Sequence, residues 1–537
     1  MVAYLMAGVV DVRLTFLFAL VLCAGHLASE EFPDLPTADH CIACHSNMVD
    51  DEGRVVSIGH DWRATMMAHS ARDPYWQASV RRETIDHPAL SAEIEDTCAT
   101  CHMPAARAKA HVAGELGRVF DHLAVDAPSA DVAMDGVNCV VCHGIAHDGL
   151  GERKSFDGGF RIDPGVDGSP RAFGPYEIEA GLSRVMHSAS GVIPTQSTHV
   201  QSSELCATCH TLFTRPVDEH GMTEPFPEQV PYLEWQQSVY SPDKSCQSCH
   251  MPVVPPSPIA SVLGEAREGL STHQFRGGNA FMLRLLTLYR DELGVTAPTE
   301  DLKRAADATQ EHLQTQTAEL AVSRIHQNSE CLVFDVSISN LAGHKLPTAY
   351  PSRRAWLHVA VSDANGASFF ESGALSPDGS IVGNDNDWDD SRYEPHYEEI
   401  TASDQVQIYE PIIVDAEGRV TTGLLRAVRY VKDNRLLPRG FDKANTAPET
   451  AVRGRAIADD DFSGGGDTVR YVVPLKPDID AATISVRLMF QTIGFRWAEN
   501  LSPYESLETV RFTRYYRENA DTSAIPLATV DVGWRSR

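Results

Sequence analysis

The chain has 537 residues, of which 43% are hydrophobic, 22% charged and 8% aromatic. That balance is close to the average of soluble globular proteins and excludes both wholesale disorder and a polytopic membrane protein. Its 74 acidic against 45 basic residues give a formal charge of −29, so the surface repels nucleic acid and anionic lipid and suits basic partners.

Residues 1–28 read as an export signal. Arg13 precedes the apolar run 14–25, which ends in small residues ahead of Ser29, Glu30 and Glu31. This is the charged start, short apolar middle and small-residue exit of a secretory signal. The run falls short of the roughly 20 apolar residues of a membrane span, so an uncleaved anchor is the lesser reading. Cys23 follows Leu22 rather than a small residue, which counts against lipidation. No integral membrane span is expected once the signal is removed, and the destination is the periplasm or the cell surface.

Residues 29–278 carry the chemistry. Ten of the twelve cysteines fall into five copies of Cys-x-x-Cys-His: Cys41, Cys44, His45; Cys98, Cys101, His102; Cys139, Cys142, His143; Cys206, Cys209, His210; and Cys246, Cys249, His250. This is the attachment signature of heme c. Two thiols three positions apart can each add to one haem vinyl group, while the next imidazole turns back to the iron. A disulfide framework needs no histidine after every second cysteine. Zinc ribbons pair two knuckles about 15 to 20 residues apart, far closer than these. A thioredoxin-like motif occurs once, beside a βαβ pattern. Five covalent haems are therefore expected. Of the other cysteines, Cys23 leaves with the signal, and Cys331 reads as a buried free thiol at the start of a strand.

Little polypeptide is available per haem, so the porphyrins themselves are expected to serve as core in a loop-rich, mainly helical domain. Helices are predicted over 74–83 and 89–96. Residues 279–327 are predicted to be a helical connector, with helix over 279–326. Leu283, Leu285, Leu286 and Leu288 mark its first half. Thr299 is a candidate cap, with Glu300 and Asp301 in the following turn and Leu302, Ala305, Ala306 and Leu313 on one face. From residue 328 to 537 the period becomes two, as in Leu332, Phe334, Val336 and Ile338, and again in Ile484, Val486, Leu488 and Phe490. Further strands are expected at 357–361, 406–412 and 469–473. The fold class is thus α+β multidomain, a pentahaem domain followed by a C-terminal β-sandwich with an immunoglobulin-like pattern.

Each iron has a second axial position. The candidate distal ligands are His87 and His199, close before the second and fourth motifs, His273 after the last, His147 four residues past the third, and His69. His60 competes with His69, and neither His111 nor His122 is preferred. Met103 and Met251, each following a motif histidine, are rival ligands that would raise the potential. His344, in a Gly-His-Lys-Leu-Pro loop, is either an axial ligand reaching across or a residue of a domain interface. The acidic loops 384–390 and 459–461 offer oxygen ligands for calcium but lack the EF-hand order, so solvated turns are the better reading.

Several segments resemble the multihaem cytochromes of the cytochrome c-554 and c-prime type. They are 61–67 with 72–76, the motif segments 206–212 and 246–252, the turn 343–348 with 353–357, and 432–443 and 495–501. The resemblance implies electron transfer outside the cytoplasm through closely stacked, mostly bis-histidine haems, with redox donor and acceptor proteins as partners. The best-understood relatives carry four haems, and a large haem-free sandwich is not part of their minimal fold. The competing reading is a multihaem reductase of nitrite, hydroxylamine or a sulfur oxyanion, with one open-faced haem and acids or bases beside it. Pentahaem nitrite reductases often have lysine in place of one motif histidine, and here all five are histidine. A third reading makes the β-domain a docking module.

Overall fold

A computed structural model describes residues 35–218, 221–222, 224–328, 330–477 and 479–536. The export signal expected over 1–28 lies outside the described residues. No described helix is long and apolar enough to cross a membrane.

The N-terminal half is built from short helices joined by loops and two-stranded pairings. Its longest helix, Pro74–Asp86, starts where Asp73 accepts hydrogen bonds from the Tyr75 and Trp76 amides (2.9 and 3.2 Å), with Pro74 at the first helical position. It ends at His87 because Pro88 cannot continue it. The next helix, Ser91–His102, carries the second motif in its last turn. The C-terminal helix Leu507–Glu518 lies against Pro74–Asp86. Arg81 grips Glu508 through two hydrogen bonds of 3.0 and 3.1 Å, and Tyr75 packs on Phe512 with ring centres 5.0 Å apart.

The connector holds two helices, Ala280–Leu288 and Thr299–Gln316. The first is buried nearly all round, through Phe281, Met282, Leu283, Leu285 and Leu286, and shares a core with Ile493, Phe495, Phe512 and Tyr515. Thr299, the expected cap, is instead the first residue of the second helix, and Pro298 stands at the cap position. The helix expected to run to 326 stops at Gln316, and Ala318–Gln327 is a strand. Pairing with Cys331–Asn340 decides this segment, with a bulge where Arg324 takes a φ of 50°. Cys331 is free and half-buried rather than buried.

The C-terminal half has two main sheets. One runs 318–327, 331–340, 466–474, 399–400; the other runs 368–372, 354–363, 481–491, 524–535, with 408–409 beside 354–363. Alternate residues of both sheets meet in one core, with Phe334, Val336, Leu357, Val359, Tyr471 and Leu488 fully buried. Each such aliphatic or aromatic side chain contributes roughly 1.5–3 kcal/mol, which explains why the two-residue period is so regular here.

The loop 341–353, between the strands Cys331–Asn340 and Arg354–Asp363, leaves this half and enters the other. Asn340 fixes its start, donating to the carbonyls of His344 (2.9 Å) and Leu436 (3.0 Å). Glu234 of the N-terminal half accepts from Lys345 N (3.1 Å) and Thr348 Oγ1 (2.5 Å) and pairs with Arg435 (3.0 Å). Asp433 in turn holds Lys345 Nζ (2.7 Å) and Arg435 Nε (2.8 Å). All four charged groups are buried.

Candidate functional site

Each motif lies in or at the end of a short helix: Asp39–Ile42, Ser91–His102, Cys139–Gly144, Ser203–His210 and Cys246–His250. In a helix, residues three apart share a face and the fourth lies beside them. The helical turn therefore delivers two thiols and one imidazole to the same side.

That side is common to all five. A cavity of about 1720 Å³ between the two halves is lined by nine of the ten motif cysteines and all five motif histidines. The motifs are neighbours within it. The Cys41 thiol meets Cys139, Cys101 meets Cys209, and Cys206 meets Cys246. Cys142 lies within electrostatic reach of Cys206 and Cys209. The fourth motif thus lies against the second and the fifth, and the first against the third. None of the ten motif cysteines is paired in a disulfide.

Four motif imidazoles are oriented by backbone carbonyls from other segments. Nδ1 of His45 donates to Ile259 O (2.6 Å), that of His102 to Ser70 O (3.1 Å), that of His143 to Phe173 O (2.5 Å), and that of His250 to Arg276 O. A carbonyl can only accept, so the proton sits on Nδ1 and the lone pair on Nε2. Such carbonyl partners are the usual orienting contacts of metal-binding histidines. Burial lowers the pKa of His102 and His210 to about 4, and those of His143 and His250 also fall, so these rings are neutral at neutral pH.

Among the described residues, three further histidines line the cavity: His273, His312 and His344. His273 stands 6.2 Å from His143, ring centre to ring centre, with 19° between planes. His344 stands 6.2 Å from His250 with 12° between planes, and His312 lies 6.0 Å from the same ring at 51°. Two imidazoles on one metal, each bonded at roughly 2.0–2.1 Å with the ring centre about 1.1 Å behind the nitrogen, would lie about 6.2 Å apart. The donor set therefore fits haem iron, which His143 with His273, and His250 with His344, would be able to hold.

The other candidate distal histidines do not line the cavity. His69 is buried with neither ring nitrogen hydrogen-bonded, and burial lowers its pKa to about 3. Ser70, beside it, holds His102 from the motif side. His87 faces Glu83 at 3.8 Å, and His147 is exposed beside Asp148. His199 has both nitrogens engaged: Nε2 donates to Ile145 O (2.8 Å), and Nδ1 accepts from Ser197 Oγ (2.7 Å). Met103 is buried away from the lining, whereas Met251 is part of it. His312 was not anticipated from the sequence. Its signal was there, because it falls between the buried Thr309 and Leu313 of an amphipathic helix.

Arg353, also from the entering loop, is half-buried on the cavity wall. It bonds only neutral oxygens, Thr348 O (3.0 Å) and Asn279 Oδ1 (2.9 Å), and burial lowers its pKa to about 10. A haem propionate is the kind of group it would hold.

The acidic loops considered for calcium are engaged within the fold. Asp387 pairs with Arg354 at 2.6 Å, and Asp385 with Arg392. Asp459 accepts from His396 Nε2 (2.9 Å) and lies beside Asp467 in a buried cluster. His396 Nδ1 accepts from Gln407 (2.8 Å) and Asn434 (3.1 Å), so Nε2 carries the proton and has no lone pair to offer a cation.

No family model and no curated protein matches this sequence. Among solved structures, the fold is similar to that of a penta-heme cytochrome c552 from Thermochromatium tepidum, with a TM-score of 0.50 and 15% identity over 93% of this chain and 99% of that one. At this identity the likeness is one of fold alone.

Proposed function

We propose that this chain is an exported multihaem cytochrome that binds five c-type haems covalently and moves electrons between protein partners. One observation carries the reading: five Cys-x-x-Cys-His turns converge on one cavity, four of their imidazoles orienting an unprotonated Nε2 through carbonyl bonds. When bound, the haems supply one-electron redox centres whose potentials the protein sets through axial ligand, burial and hydrogen bonds.

The residues divide the remaining work. The ten motif thiols tether the porphyrins, and the motif imidazoles hold the irons. His273 and His344 would serve as second ligands to the irons held by His143 and His250, and His312 stands beside the latter. Arg353 neutralises propionate charge. Contact of the fourth motif's thiols with those of the second and fifth, and of the first with the third, supports a relay through closely placed haems. The net charge of −29 favours basic redox partners. The periplasm or cell surface is the compartment that suits the export signal.

Intact mass of the secreted protein, read beside its visible spectrum, tests this. An excess equal to five haems is expected; any smaller excess refutes the assignment.

A reductase remains the second reading, because the cavity lining supplies three non-motif histidines for five irons.

A further inference from the structure

This inference rests on the multihaem reading and names the face at which a redox partner docks. The first motif is set apart from the other four. Cys44 is the one motif thiol that does not line the cavity, and two small hairpins flank it. One, Met48–Val49 with Val55–Val56, follows the motif directly. The other, Ser257–Pro258 with Ala266–Arg267, lies beside the first. The turn of this second hairpin is fastened to the motif. Ile259 O accepts from His45 Nδ1 (2.6 Å), and Ser261 donates to Cys44 O from both its amide (2.8 Å) and its hydroxyl (3.0 Å).

Both hairpins present apolar side chains to water. Val49 and Val55 are a directly opposed cross-strand pair, which puts them on one face, and both are at least half exposed while Met48 and Val56 are buried. Val262 and Leu263 follow Ser261 and are 59% and 65% exposed. Leu263 is ill suited to an ordinary turn, because its φ of 54° is the left-handed conformation that favours glycine or asparagine. Neither local conformation nor burial accounts for a leucine there. Exposed apolar groups gathered in one place mark interaction surfaces, where they form the water-excluding centre.

The rim decides the charge of the partner. Asp51, Glu52 and Glu265 are exposed on these turns. The arginines beside them are already engaged, Arg54 with Asp50 (2.8 Å) and Glu52 (2.9 Å), and Arg267 with Glu265 (3.8 Å). An acidic partner would meet like charge on arrival, whereas a basic one is drawn in, the more so by a chain of charge −29.

We infer that the two hairpins around Cys44, centred on Val49, Val55, Val262 and Leu263, are the docking face for a basic one-electron carrier protein that presents lysines around its own redox centre. One electron crosses between that centre and the first-motif iron, one being oxidised as the other is reduced, with no bond made or broken.

Carbodiimide cross-linking of the full-length holoprotein to a lysine-ringed monohaem cytochrome c, mapped by mass spectrometry, tests this, together with calorimetric affinity for that probe at low and high salt. Cross-links should fall on Asp51, Glu52 and Glu265. Val262→Ser with Leu263→Ser should weaken binding by roughly tenfold or more, as truncation at the centre of an interface does, with the haem count by intact mass unchanged. Glu52→Lys with Glu265→Lys should weaken it at low salt and flatten its salt dependence. Leu507→Ser with Val510→Ser removes comparably exposed apolar groups from the C-terminal helix and should bind the probe as wild type does. A probe that does not bind, cross-links confined to other faces, or face variants that bind as tightly as wild type overturn the proposal. So does a self-associated holoprotein that Leu263→Ser turns to monomer in sedimentation, because the occupant is then a second copy of the chain. A haem count below five sinks the multihaem reading instead, and the mass reports it apart from the binding.

Discussion

The imidazole of His344 lies parallel to that of His250, 6.2 Å from centre to centre with 12° between their planes. One ring belongs to the last motif and the other to a loop of the β-rich half. The same spacing joins His143 to His273 within the N-terminal half. Replacing His344 or His273 with alanine should convert one low-spin ferric centre to high-spin, as read by electron paramagnetic resonance. Because His312 also approaches His250, at 6.0 Å, the pair His344→Ala with His312→Ala should show the full effect at that site. Unchanged low-spin intensity in both His273→Ala and the double variant would refute these axial pairs.

Asp433 is the anion between Lys345 and Arg435, and their charges hold its pKa well below the usual carboxylate range against the cost of burial. Asp433→Asn leaves two buried cations facing one Glu234. Breaking a buried pair from one side costs roughly 3–5 kcal/mol, so a large fall in melting temperature is expected. The sign with pH follows from the depressed value. The stabilisation is present above the unfolded pKa of about 3.9 and is lost as pH falls toward the folded one. Wild type and variant should therefore differ most at neutral pH and converge in strong acid. A difference that does not shrink in acid would contradict the ionic role.

Glu228 presents the opposite sign. Burial raises its pKa from 4.5 to about 7, with the charges of Glu83 and Asp157 adding to the effect. The unfolded chain releases this proton first as pH rises. The associated stability is complete below about pH 4.5 and lost as pH rises toward 7. Glu228→Gln keeps an acceptor for the Thr214 hydroxyl but does not ionise. It should be more stable than wild type at pH 8, by about 3 kcal/mol, and similar to it near pH 4. Equal melting temperatures at pH 8 would show that Glu228 ionises there without penalty.

Folding and haem attachment should be inseparable. Without haem the mainly apolar walls of the 1720 Å³ cavity would face water, and little other core remains in the N-terminal half to offset the ordering of its loops. Chain produced without haem attachment should lose protease protection across 35–278, as followed by mass spectrometry of the fragments. Full protection of that region in haem-free chain would exclude the porphyrins as core.

The motifs could be read directly, since covalent chemistry fixes their spacing within one helical turn. The strands around Phe334 and Leu488 could be read as well, because one face of each is buried and period two follows. Residues brought together from distant parts of the chain could not. His87 and His199 lie near motifs in sequence but outside the cavity, whereas His312 and His344 line it from far along the chain. Sequence proximity is a poor guide where short helices turn sharply between motifs. The strand Ala318–Gln327 was missed for a related reason: only its partner Cys331–Asn340 makes it extended, and most of its outward side chains are exposed.

The loop that carries His344 also bears on maturation. A chain leaving the ribosome N-terminus first presents every attachment motif before the segment holding that histidine has emerged. Lys345 is anchored both by Glu234, from the early part, and by Asp433, from the late part. The imidazole thus reaches its station only after the second half has docked. Until then the terminal redox centre would lack the ligand that keeps its potential low. Completion of the polypeptide would thereby act as a checkpoint, withholding the working potential from unfinished molecules.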